Sequence, residues 1–129
     1  MGRIRDVTVG AVLGAAAMAG ALAAQSSAFI DPVVVSPELY TVRFDNDRLR
    51  VLEYRLKAGA SEPLHSHHAG VVIAFSDSTV KATNPDGSSA THPSHAGDVL
   101  WRDDVTHSVE NVGGTEAHYF SVELKAPPR

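Results

Sequence analysis

The chain contains no cysteine. That excludes disulfides, thiolate metal ligands and a cysteine nucleophile together, although it assigns no redox compartment. Neither sign of charge dominates. Eleven Lys and Arg stand against fifteen Asp and Glu, for a net charge of −4, so no basic excess points to nucleic acid or to an anionic membrane surface. Beyond residue 24 there is no long apolar run, no amphipathic helical period of useful length, no internal repeat and no linker. A length of 129 residues suits one domain better than two. What the chain does have in excess is histidine, with seven residues.

Residues 1–24 read as a secretory signal peptide. Arg3 and Arg5 open the chain, Val7–Ala24 is apolar and uncharged, and Ala21-Leu22-Ala23-Ala24 offers a small-residue cleavage site. An uncleaved anchor is the competing reading. The stretch is short and Ala/Gly-rich for that, since a stable span takes about 20 strongly apolar residues. Cleavage near Ala24, or a few residues later near Ala28, removes Arg3, Arg5 and Asp6 and leaves a net charge of −5. With no cysteine to carry a lipid, the expectation is a periplasmic or secreted protein without a membrane contact after cleavage.

Residues 25–38 read as an extended N-terminal arm, with Val33-Val34-Val35 between Pro32 and Pro37. Short strands then follow. Leu39–Phe44 is a β-type run, and Arg48–Lys57 alternates, with Leu52, Tyr54 and Leu56 on one side and Val51, Glu53 and Arg55 on the other. Gly59 opens a loop that includes Pro63. Val71–Phe75 and Thr79–Thr83 are further runs, separated by Asn84-Pro85-Asp86-Gly87 from a loop around Thr91–His95. Val99-Leu100-Trp101, His107–Val112 and Glu116–Lys125 complete the set, with Trp101 and Tyr54 expected as core aromatics. In the last strand His118 and Phe120 alternate with Tyr119, Ser121 and Glu123. Strands at this spacing with turns between them predict an all-β barrel or sandwich.

The chemistry concentrates in the histidines. His65 and His67 are two apart, which on a strand puts both rings on one face, roughly 7 Å apart at Cα. His68 then points the other way. His107 begins a later strand that a closed barrel can bring alongside. Together, His65, His67 and His107 form a candidate transition-metal site with open positions for water or substrate, the arrangement of a catalytic rather than a closed structural site. Affinity is expected to fall as pH drops through about 6.5, the ordinary imidazole value. Each histidine also has a plainer reading, at a barrel rim or as a packed core residue. His92 and His95 read as loop residues. Glu53, Arg55 and Glu123 are solvated or edge charges unless their faces turn inward, in which case Arg55 could hold a substrate carboxylate.

These residues carry a family resemblance. Gly59 followed by His65-Ser66-His67, and Gly97 followed by His107 and Asn111, resemble the two cupin motifs in order and separation. The likeness to small single-domain bacterial cupins of the RmlC-like type covers Leu39–Lys125, and residues 39–125 are expected as the cupin domain. It implies a double-stranded β-helix, or jelly roll, and a bound metal, iron first and otherwise Zn, Ni, Mn or Cu. It also implies a small-molecule ligand or substrate and a homodimer. Two departures stand out. The Glu usual after the second His is replaced by Val71 and Val72, and the second motif carries Asp103 and Val105 for its Pro and Gly, one residue shorter. The site is then either a three-His centre of the kind found in dioxygenase cupins or a non-catalytic ligand pocket. His118, or failing that His68, is the candidate for the missing Glu.

Overall fold

Alternating side chains in short runs broken by turn residues produce nine strands in the computed structural model, which describes residues 28–126. The expected signal peptide, and residues 25–27 of the arm, lie outside the described residues. The strands are β1 (Tyr40–Asp45), β2 (Leu49–Leu56), β3 (Ser61–His67), β4 (Gly70–Ala74), β5 (Ser78–Thr83), β6 (Ser89–Ser94), β7 (Val99–Arg102), β8 (Val105–Asn111) and β9 (Ala117–Leu124). They pair in two antiparallel sheets, ordered β1-β2-β9-β4-β7 and β3-β8-β5-β6. This is the jelly roll expected from the motifs. Leu52, Tyr54 and Leu56 of β2 pack with Tyr40, Val109 and Ala117 in the core.

The remaining arm differs from the extended segment expected. Pro32–Val35 forms a single helical turn, α1. Three β-branched valines resist a helix, but Asp31 caps it by accepting from the Val33 N–H at 3.0 Å, and Pro32 presets the first turn. The chain just before it lies on β3, where Ser66 N–H donates to the Ile30 carbonyl at 2.7 Å.

Two segments read as loops are strands, and proline explains both misreadings. Pro93 lies in β6, which ends its sheet and pairs with β5 alone, so its missing N–H costs no ladder bond on the open side. Pro63 lies in β3 at a bulge. Glu62 pairs with Val109 and His65 with His107, so β3 spends three steps where β8 spends two.

The close approach of β4 to β9 depends on Gly70. A Cβ there would come within 1.8 Å of the Val122 carbonyl oxygen. Trp101, expected in the core, is 55% exposed on the outer face, its indole N–H donating to Asp103 at 2.9 Å.

Candidate metal centre and its cavity

His65 and His67 share the inner face of β3, and the β3–β8 register sets His107 directly across from His65. Ring centroids are 4.8 Å apart for His65–His67, 4.8 Å for His65–His107 and 5.8 Å for His67–His107. One potential ligand nitrogen from each lies within 4.8 Å of the other two. The structure therefore brings together the three histidines singled out from the sequence, in a cluster compatible with a metal ion.

Hydrogen bonds decide which nitrogens face inward. The Pro63 carbonyl can only accept, so His65 Nδ1 carries the proton and donates to it at 2.8 Å. His65 Nε2 is left unprotonated and buried without a partner. His67 Nδ1 donates to Glu123 Oε2 at 2.9 Å, which frees its Nε2 in the same way. A carboxylate or carbonyl behind each imidazole is what orients a metal-ligating histidine.

Burial keeps these rings neutral. It pushes His65 down to about 4 and His107 down to about 3, the neighbouring rings and Arg102 adding repulsion. His67 is also lowered, burial outweighing the pull of Glu123. Protons therefore compete for these nitrogens at much lower pH than the 6.5 expected from free imidazole. Burial alone would raise Glu123, but the His67 hydrogen bond together with Arg50 and Arg102 holds its carboxyl below the usual range.

The three rings line a cavity of about 420 Å³ between the sheets, within the usual size range for small-molecule sites. Much of the wall is apolar, from Val72, Val80, Leu100, Val105, Val109 and Tyr119. Of Val71 and Val72, the two positions at which the first cupin motif usually carries Glu, Val72 is the one in this wall. Neither histidine proposed in its place reaches the cavity. Period two sets the parity of β9: Tyr119 and Ser121 line the cavity and Glu123 is buried, so His118 faces out and bonds Glu53 at 2.8 Å. His68 is exposed and stacks on Phe29, with centroids 4.2 Å apart. Arg55 also faces out, bonded to Glu116 at 2.7 Å. His92 reaches the cavity lining from β6, while His95 stays exposed near Asp77.

Sequence reasoning missed two cavity residues. Glu62 is 1% exposed, accepts from the Tyr40 hydroxyl at 2.5 Å, and has Oε1 3.1 Å from His65 Nδ1. Burial pushes its carboxyl up to about 7 despite the tyrosine hydrogen bonding. Strict alternation would turn Glu62 away from His65; the bulge at Pro63 brings it to the same face. Its detectable signal was a proline two residues before His65. The other is Arg102, which alternation from the inward Leu100 places inside.

No family model matches the chain, and no curated protein is similar to it in sequence. Solved structures are similar. A cupin domain from Bordetella pertussis Tohama I matches at 27% identity and a TM-score of 0.62, over 78% of this chain and 100% of that one. An RmlC-like cupin family protein with a double-stranded β-helix fold, from Methanocaldococcus jannaschii, matches at 12% identity and a TM-score of 0.54, over 67% and 78%. A double-stranded β-helix protein from Klebsiella pneumoniae matches at 18% identity and a TM-score of 0.53, over 65% and 73%.

Proposed function

The chain is a small single-domain cupin by fold, and from that premise we propose that it binds one transition-metal ion through His65, His67 and His107 and acts on a small molecule in the adjoining cavity. The observation that carries the reading is the pair of spoken-for Nδ1 atoms. Pro63 and Glu123 occupy them in His65 and His67, and His65 Nε2 is buried with nothing to bond. An unpartnered buried nitrogen is costly unless something fills it. Neutral imidazoles suit Fe, Zn, Ni or Cu rather than Ca or Mg, and iron is the first choice. Such an ion would supply Lewis-acid or oxygen-directed redox chemistry at the positions that three ligands leave open. The chain's own part is to orient the rings, keep them neutral, and surround the reactants with apolar wall that limits water.

The proposed activity is that of a dioxygenase-type oxidoreductase. The competing reading is a non-catalytic ligand-binding cupin, favoured by Val71 and Val72 standing where a carboxylate ligand is usual. Elemental analysis of the native protein beside the His65→Ala/His67→Ala variant tests the first step. About one metal per chain in the native protein and none in the variant supports it; no metal in either moves the assignment to the binding module. Oxygen uptake by the metal-loaded protein with thiol, diketone or phenolic substrates tests the second step, and its absence across them removes the catalytic reading. Export and homodimerisation belong to the same proposal. An N-terminus near residue 25 in the natively produced protein and a dimeric mass in solution are the expected results.

A further inference from the structure

We propose that the cavity takes a small organic monocarboxylate and that the Arg102 guanidinium receives it. The proposal deepens the metal-binding reading by naming the substrate class of the same site. Arg102 ends β7 on its inner face and lines the cavity with the three histidines. Its side chain is only 21% exposed. A guanidinium has five N–H donors, yet among the described residues its one hydrogen bond is from Nη2 to Ser121 Oγ at 3.1 Å. Its Nε–H is buried with no acceptor.

The neighbouring carboxylates do not fill this gap. Glu123 Oε2 is 3.9 Å from Nη2, beyond hydrogen-bond reach, and is already held by His67 at 2.9 Å. Glu62 is bonded by Tyr40. The other cation near Glu123, Arg50, is committed to both Asp31 oxygens at 3.1 and 3.2 Å. Among the described residues, Arg102 is the one Lys or Arg lining the cavity, and one cation suits a monoanion rather than a phosphate. A planar carboxylate presents two acceptors to a planar fork of donors. The apolar wall and the cavity of about 420 Å³ call for a compact hydrocarbon or aromatic body behind that group. The sequence pointed to an arginine for this role, but to Arg55, which the fold turns outward; Arg102 occupies the inward position.

The test is calorimetric titration of the full chain, as purified and after chelation, with monocarboxylates from acetate to benzoate, each beside its neutral amide. The expected result is at least one acid bound about tenfold or more tighter than its amide in both preparations, the scale of a charge-assisted contact. Arg102→Gln should abolish that preference and Arg102→Lys retain part of it, with circular dichroism reporting that each variant is folded. The acid–amide comparison in the unaltered chain stands even where a variant fails to fold. No acid preferred over its amide, or a preference kept in folded Arg102→Gln, overturns the proposal. A preference that vanishes on chelation overturns it too, because the acid is then held by the metal. A preference in a chain that never carries metal supports this proposal while ending the metal reading.

Discussion

Replacing Glu123 probes how the site is organised. Glu123 is 1% exposed and accepts from His67 Nδ1 at 2.9 Å, with Arg50 3.5 Å and Arg102 3.9 Å away. In Glu123→Ala, His67 loses the acceptor that sets its tautomer and orientation, and Arg102 loses its nearest carboxylate, while Arg50 keeps Asp31. A hydrogen bond to a charged group is worth about 1.5–3 kcal/mol. At 1.4 kcal/mol per factor of ten, metal affinity should fall roughly 10- to 100-fold, the range typical for partners behind a ligating histidine. Glu123→Gln keeps an acceptor for Nδ1–H but loses the charge, so its loss should be smaller. The metal-free protein should lose about 3–5 kcal/mol in the alanine variant, since Arg102 is then left largely buried without its nearest carboxylate. Glu123 is held below the usual carboxylate range when folded, so its contribution is present above pH about 4.5 and lost as pH falls below it. Competition titration against a chelator and urea unfolding give both numbers. A folded alanine variant whose affinity stays within about twofold of the parent would refute the argument that Glu123 organises the site through His67.

Substitution to alanine at His65, His67 or His107 should each lower metal content by a large factor, whereas alanine at His118, His92 or His95 should leave it unchanged; equal loss from all six by elemental analysis would mean the cluster is misassigned. The metal-free protein should grow less stable as pH falls below 6.5. His65 and His107 stay neutral in the fold down to about 4 and 3, while Glu62, raised to about 7, works in the opposite direction above pH about 4.5. His65 and His107 against one carboxyl leave a net loss of about 1.4 kcal/mol per pH unit between about 6.5 and 4.5, and His67, also lowered, adds to it; urea unfolding measures the slope, and stability flat across that window would contradict the buried neutral histidines. Asn111→Ala should cost about 2–4 kcal/mol, because its buried amide bonds the Leu56 and Thr115 carbonyls at 2.9 and 2.8 Å and the Gly113 N–H at 3.1 Å; a shift in denaturation midpoint equivalent to less than 1 kcal/mol would reduce that residue to a spectator. Gly70→Ala should fail to fold or lose several kcal/mol, since its Cβ would meet the Val122 carbonyl oxygen at 1.8 Å.

Local pattern settled a good deal. Period two along β2 grouped Leu52, Tyr54 and Leu56 on one face, and the i,i+2 spacing put His65 and His67 on one face. The two glycine–histidine motifs identified the jelly roll and named His107 as the third member. What local pattern could not supply was parity and register between distant strands. In β9 either alternating set could have faced inward; packing chose Tyr119, Ser121 and Glu123, which turned His118 outward and made Glu123 the partner of His67. A one-residue bulge at Pro63 reversed the alternation of β3 and drew Glu62 to the side of His65. The same ambiguity hid Arg102 and recommended Arg55. The physical reason is common to all three. A side chain's type and spacing are local properties of the chain, but the face it occupies is decided by which cross-strand pairing buries the most apolar surface with its polar groups satisfied, and that exists only once the two sheets have closed on each other.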